Sequence, residues 1–324
     1  GLGCTAFLGG IASNYNSNLL LSSNNILVVE ADEYDRSFLQ LYPDIAIITS
    51  VDADHLDIYE NDQDLKRTFV EFADQVDADG LLLLNESIKD EFSDVKGVEI
   101  QSYSVDNASS NTAINLRVEN HRQLFDAKIY TNESSDKVGL SEMTLSLPGI
   151  HNVENALSAI VVAHKLGLNA DQISNGINSF KGVKRRFETH CYSDHIYIDD
   201  YAHHPQEIKV TLEAVRKLYP KKKLTVVFQP HLYSRTNDFY KQFAIELSYA
   251  DEVILLDIYP ARELPIKGVN SNLILNNISS EIDKKLFAKN QLLDSLKEKK
   301  RELLVTLGAG DIDKLIIPIK SIYQ

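Results

Sequence analysis

Two cysteines, Cys4 and Cys191, are all that 324 residues contain. A disulfide framework is therefore excluded, and a reducing, cytoplasmic setting is expected. No apolar run approaches the roughly 20 residues that cross a bilayer, and the opening stretch does not read as a secretory signal. Positive charge is scarce as well: 33 Lys and Arg face 47 Asp and Glu, for a formal net charge of -14. General affinity for nucleic acid or an anionic membrane is thereby excluded, since both reward a basic face. Any anionic ligand must instead meet a local cluster of Arg, Lys or His. Methionine occurs once, at Met143, and the first residue is Gly1, so the chain is expected to be part of a longer gene product.

What is present is ordinary for a soluble globular protein, with 44% apolar and 25% charged residues. The length exceeds one compact domain, which predicts two cores. "ILVVE" (26 to 30), "IAIIT" (45 to 49) and "GLLLLN" (80 to 85) are short, continuous apolar runs, as expected of strands buried on both faces of a parallel sheet. Between the last two, Leu65, Phe69, Phe72, Ala73 and Val76 recur at helical spacing. From about 98 to 147 the period changes to two, with Met143, Leu145 and Leu147 alternating with polar residues, and "TNESSDK" (131 to 137) reads as a turn. Antiparallel hairpins beside the parallel sheet are expected there. A helix follows Pro148-Gly149, with Val153, Leu157, Ile160 and Val161 as its apolar stripe, and stops near Gly167. After "FKGVKRRFE" a second alternation begins, with strands expected at 195–199, 224–229, 252–258 and 302–307 and helices between them. The fold class is α/β in two domains, 1–183 and 184–324.

Ligands of open α/β sheets bind beyond the carboxyl ends of the strands, and the unusual residues of both halves fall there. In the first half the apolar runs lead into "EADEYDRSF" and "SVDADHLDIY". These place Glu30, Asp32 and Glu33 near Asp52, Asp54, His55 and Asp57, if the two strands are neighbours. His55 is then a stabilised imidazolium, a surface residue, or part of a cation site. Carboxylates with at most one imidazole and no thiolate suit a hard ion such as Mg2+ or Mn2+, whereas the bland alternative is a solvated turn with helix-capping duty.

In the second half the strand ends carry "DDYAHHP", "QPHLYSRT", "DIYPARELPIKG" and "GAGDI". Three contain His or Arg, and the fourth is a glycine turn at a helix start, where free backbone N–H groups suit an anion. Singly, each is as well explained by packing or a tight turn, and Pro205 by its fitness for a first helical turn. Together they predict a basic binding crevice on an acidic protein. Lys181, Lys184, Arg185 and Arg186 at the junction are either a solvated linker or a phosphate clamp.

These motifs, taken in order from "AFLGGIASNYNSNLLL" through "VVEADEYDRSF", "DADHLDIY", "PGIHNVENALSAI", "FKGVKRRFE", "DDYAHHP", "FQPHLYSRT" and "YPARELPI" to "GAGDI", resemble the central and C-terminal domains of the Mur ligases, over essentially the whole chain. The resemblance implies a central ATPase-type domain, with a mostly parallel sheet plus small antiparallel hairpins, followed by a Rossmann-like C-terminal domain. It also implies an ATP- and Mg2+-dependent amide-forming ligase acting through an acyl phosphate. Within the family the likeness is greatest to members that join L-alanine to UDP-N-acetylmuramate. Mur ligases also carry an N-terminal UDP-binding domain and a phosphate loop ending in Gly-Lys-Thr; Gly-Lys occurs nowhere here, so a fragment without ligase activity of its own is expected.

Carried over position by position, the resemblance implies Glu30 and His55 at metal, and His151, Asn152 and Asn155 on the adenine side. It implies Arg186 at the ATP phosphates, and Asp200, or Asp199 in its stead, toward ATP. Tyr201, His203, His231 and Arg235 match positions facing the muramoyl and amino-acid end. Catalysis falls to His55, Arg186, His203 and Arg235. Where many members have a basic residue this chain has Leu232, which leaves Arg235 as the carboxylate contact. Competing expectations are a ligase attaching a preformed peptide to the same sugar nucleotide, a Mg2+-dependent phosphohydrolase, and a non-catalytic binding fragment.

Overall fold

The computed structural model describes residues 2–51, 59, 61–105, 109–120, 122–131 and 134–324, with backbone alone for 134–136. It divides into two compact units, Gly1–Lys181 and Gly182–Gln324. In chain order the first unit contains β1 (Thr5–Ala12), β2 (Ser17–Leu20), β3 (Leu27–Val29), a 3-10 helix (Tyr34–Gln40), β4 (Ile45–Ile48), α1 (Asp62–Ala73), β5 (Leu81–Asn85), a second 3-10 helix (Glu86–Phe92), β6 (Glu99–Ser104), β7 (Asn111–Glu119), β8 (Arg122–Thr131), β9 (Ser134–Leu145), α2 (Ile150–Lys165) and α3 (Ala170–Ser179). The second contains β10 (Glu188–Tyr192), β11 (His195–Asp200), α4 (Pro205–Leu218), β12 (Leu224–Phe228), α5 (Tyr233–Leu247), β13 (Glu252–Leu255), α6 (Asn272–Leu275), β14 (Asp283–Leu286), α7 (Lys289–Glu298), β15 (Leu303–Leu307), a 3-10 helix (Asp311–Leu315) and α8 (Ile316–Tyr323).

Among the described residues of the first unit, β4-β5-β6-β7-β8-β9 form one sheet, parallel from β4 to β7 and antiparallel beyond. The run "LLLL" shows why the order holds. Leu81 and Leu83 point into a core with Val153, Leu157 and Ile160 of α2, while Leu82 and Leu84 point into another with Phe72 of α1 and Phe92. A strand apolar on both faces has to lie between two layers of helix. β1, β2 and β3 form a separate small sheet, with β1 parallel to β3 and antiparallel to β2. Strands β3 and β4 are therefore not hydrogen-bonded neighbours, contrary to the expectation from sequence; β3 spends its ladder on Thr5–Phe7 of β1. The "TNESSDK" turn is also shorter than expected. β9 already begins at Ser134, pairing with Thr131, because a backbone ladder is indifferent to side-chain polarity.

In the second unit the order is β10-β11-β15-β12-β13-β14, all parallel except the β10–β11 hairpin. Alternate residues again feed two cores. Val226, Phe228, Val305 and Leu307 meet α4 and α5 on one face, while Val227, Ile254 and Leu304 meet α7 and α8 on the other. The carboxyl ends of β11, β12, β13 and β15 thus open on one edge of the sheet, where α4 and α5 begin. No helix among the described residues is long and apolar enough to cross a membrane.

Candidate active site

In the first unit, Glu30 follows β3 directly. Its N–H donates to the Phe7 carbonyl (3.0 Å), and its Oε2 accepts from the Gly9 N–H at 2.7 Å. Gly9 makes this possible: a Cβ there would stand 2.6 Å from Glu30 Oε1. Asp32 and Glu33 continue the loop, with Asp32 Oδ1 accepting from the Tyr34 N–H. His55, together with Asp52, Asp54 and Asp57, lies outside the described residues. Among the described residues, no three His, Cys, Asp or Glu side chains converge as a metal cage. Mg2+ does not require one, since it binds through one or two carboxylates, retained waters and substrate phosphates.

His151, Asn152 and Asn155 come together in the first two turns of α2. Gly149, at φ 105°, precedes them, and a Cβ there would meet the His151 ring at 2.7 Å. Asn152 donates to the Pro148 carbonyl at 2.7 Å. His151 remains exposed at the surface, yet shielding by the surrounding protein lowers its pKa, so the ring is neutral at pH 7. Beneath the same helix, the fully buried Tyr103 of β6 brings its hydroxyl toward Asn85 and toward Ser158 of α2 without closing a standard hydrogen bond, and burial raises its pKa.

The second unit brings the other predicted residues to one sheet edge. Arg185 and Arg186 both lie over the Tyr201 ring, with guanidinium carbons 5.1 and 5.5 Å from its centroid. They are not equivalent. Arg185 is locked: Nε reaches Asp199 at 3.2 Å and Nη2 donates to the Gly308 carbonyl at 2.5 Å. Arg186 is exposed. Sequence reasoning missed this division, since adjacent arginines in "KRR" give no sign of which is committed.

Asp200 is turned inward. Its two oxygens accept from the N–H groups of Ala202 (2.7 Å) and Phe187 (2.8 Å). Burial pushes its pKa up to about 6 against the pull of those donors and of Arg186. Asp199 is likewise buried, held by Arg185 and Thr306. Here both aspartates fix the end of β11.

His203 stacks edge-on against Tyr201 and His231, at 5.2 and 5.8 Å. Its Nδ1 lies 3.1 Å from the Tyr201 carbonyl and 3.2 Å from Glu207. Two acceptors at Nδ1 place the proton there, leaving Nε2 as the lone-pair nitrogen. Burial lowers the His203 pKa, opposed by Glu207 and reinforced by Arg235. His204 caps α4, with Pro205 in its first turn and Glu207 accepting from both His203 and His204 N–H groups.

His231 is bridged to Tyr259 and stacked on its ring at 5.8 Å. Burial, then His203 and Arg235, lower its pKa to about 4. Two polar atoms here are buried without a hydrogen-bond partner among the described residues: His231 Nδ1 and Arg235 Nη1. Leu232, at φ 68°, caps α5 through its carbonyl, which accepts from Thr236 N–H (3.2 Å) and Oγ1 (2.7 Å). The glycine turn "GAGD" serves the fold: the Ile312 N–H that sequence left free for an anion donates to Gln229 Oε1 at 2.8 Å. Gly308, at φ 139°, lies against Gln229, where a Cβ would meet its carbonyl oxygen at 2.6 Å.

One α/β unit thus opens a helix with His and Asn, and the other gathers arginines and neutral histidines at one sheet edge. Residues 14–163 match the Mur ligase middle domain and residues 185–312 the Mur ligase glutamate ligase domain. The chain belongs to the Mur ligase family, ATP-dependent ligases of peptidoglycan precursor synthesis. It is 47% identical over 322 residues to the UDP-N-acetylmuramate–L-alanine ligase of Flavobacterium psychrophilum, covering 99% of this chain and 68% of that protein. To the ligase of the same name from Flavobacterium johnsoniae it is 43% identical, covering 100% and 69%. Among solved structures, the UDP-N-acetylmuramate–alanine ligase of Thermotoga maritima superposes with a TM-score of 0.79 at 25% identity, over 100% of this chain and 69% of that one.

Proposed function

We propose that the chain carries the nucleotide and acceptor machinery of a ligase joining L-alanine to UDP-N-acetylmuramate, with ATP cleaved to ADP. The carboxylate oxygen of the muramoyl group attacks the γ-phosphorus, and the bond to ADP breaks. The resulting acyl phosphate converts a poor electrophile into a good one. The amine of L-alanine then attacks the acyl carbon, giving a tetrahedral intermediate that expels phosphate and forms the amide. The amine proton passes to a base.

The observation that carries this reading is the pair of buried groups without a partner among the described residues, His231 Nδ1 and Arg235 Nη1, beside a His203 whose Nε2 carries a lone pair. A buried donor without a partner costs free energy, so this is where a ligand carboxylate or phosphate belongs. In this reading Arg235 and His231 bind the anionic end of the acceptors, and Tyr201 forms a wall of the pocket. His203 Nε2 takes the amine proton. Arg186, exposed beside Tyr201, reaches the nucleotide phosphates, while His151, Asn152 and Asn155 hold the adenine side. Asp200 acts on ATP indirectly, by fixing the segment that presents Arg186 and Tyr201.

Glu30, an all-oxygen donor on a strand end, fits a hard cation, with His55 as the second ligand of the reading. Mg2+, with Mn2+ as an alternative, supplies neutralisation of phosphate charge when bound. Hydroxylamine trapping tests the intermediate. The complete gene product, given ATP and UDP-N-acetylmuramate without amino acid, is expected to yield the muramoyl hydroxamate. ATP-dependent ligation with no hydroxamate at any hydroxylamine concentration would contradict the acyl phosphate.

A further inference from the structure

The loop after β3 is built in a way the ligase reading does not use. Asp35 and Arg36 are consecutive residues in the left-handed region, at φ 54° and 55°, and neither is glycine. L-residues enter that region singly and at a cost, so the surroundings must impose it. They do so from α1. Arg36 Nη2 meets Asp64 Oδ2 at 2.6 Å, Nη1 donates to Thr68 Oγ1 at 3.2 Å, and the guanidinium lies 5.1 Å from the Tyr59 centroid. Tyr59, itself buried, donates its hydroxyl to the Glu33 carbonyl at 2.5 Å, and that carbonyl also accepts from the Arg36 N–H. Asp64 is 6% exposed and binds Arg67 with its other oxygen.

Charge gives this arrangement a purpose. Arg36 is the only cation between residues 30 and 41, a run that also holds Glu30, Asp32, Glu33 and Asp35. A guanidinium free to turn onto those carboxylates would compete with any metal they attract. Asp64, 28 residues away in sequence, gives it a buried partner on α1 instead.

We propose that Arg36 and Asp64 form a positioning clasp: the pair fixes the carboxylate loop and keeps its one cation off the carboxylates, and so sets the affinity of this unit for the divalent metal. The inference rests on the metal reading given above for Glu30. Neither residue touches substrate.

The test uses the complete gene product, with Mg2+ half-saturation read from ADP release and metal binding read directly from the free Mn2+ resonance signal. Arg36→Ala is expected to raise both constants about tenfold, with kcat at saturating Mg2+ within about twofold, as for groups that orient metal ligands. Arg36→Lys recovers most of the loss. Asp64→Asn, which frees the guanidinium, is expected to be worse than Arg36→Ala, and the double variant no worse than Arg36→Ala alone. Unchanged metal constants in Arg36→Ala, or a fall in kcat that saturating Mg2+ does not restore, would overturn the clasp. If Arg36→Ala does not fold, Arg36→Lys and Asp64→Asn decide on the same criteria. Wild-type turnover indifferent to Mg2+ would instead sink the metal reading itself.

Discussion

The Oε2 of Glu207 accepts from the His203 backbone N–H at 2.8 Å and lies 3.2 Å from Nδ1 of the same residue. One carboxylate thus fixes both the backbone and the tautomer of the histidine read as the base. Because burial lowers the His203 pKa and Glu207 raises it, Glu207→Gln is expected to lower it further. The acidic limb of the kcat/KM profile then moves to lower pH by roughly half a unit. His203→Asn is expected to lower kcat about 100-fold and to abolish that limb. Rate profiles between pH 5 and 9 check both.

Gly9 and Glu30 give a prediction that separates function from folding. A Cβ at Gly9 meets only the far end of the Glu30 side chain, which swings aside at little cost to the fold. Gly9→Ala is therefore expected to leave the melting temperature nearly unchanged while raising the Mg2+ requirement about tenfold. Melting curves and Mg2+ titration of turnover check it.

Asp200 makes a pH prediction of one sign. Its folded pKa, about 6, lies above that of an unfolded aspartate. Its contribution to stability is thus fully present below about pH 4 and declines as pH rises toward 6. Asp200→Asn turns an amide NH2 group, itself a donor, toward one of two buried N–H donors, and is expected to destabilise the second unit by about 1–3 kcal/mol. Denaturant melts at pH 7 measure that loss.

Glu252 has the opposite sign. Burial alone would raise its pKa, but Arg301, Lys285 and Thr225 hold it down to about 2. Its contribution is present above about pH 4.5 and is lost as pH falls toward 2. Glu252→Gln leaves Arg301 without its carboxylate and is expected to cost about 3 kcal/mol. Melts of wild type and variant should converge near pH 2.

Which features were legible in the sequence follows from how local their causes are. "LLLLN" announces a strand covered on both faces, since a short apolar run bounded by Gly80 and by the polar Asn85 and Glu86 leaves no polar face for solvent. β1 was missed because Gly9 and Gly10 interrupt it and Phe7 and Ile11 point to solvent. β14, "DKKL", was missed because an edge strand takes its order from neighbouring β13, not from its own side chains. At the site, the histidines and arginines were visible as residue types at strand ends. The commitment of Arg185 to Gly308, and of Arg36 to Asp64, was not, because such pairs join positions 123 and 28 residues apart. Opposite charges are too common in the sequence to single out Arg36 and Asp64, and a backbone carbonyl such as that of Gly308 leaves no mark in it.

The most direct measurement is ADP release by the complete gene product with ATP and UDP-N-acetylmuramate, comparing L-alanine, a stem tripeptide and no amino acid. Turnover that requires L-alanine is the predicted result. Equal release without any amino acid, or release with the tripeptide alone, would contradict it.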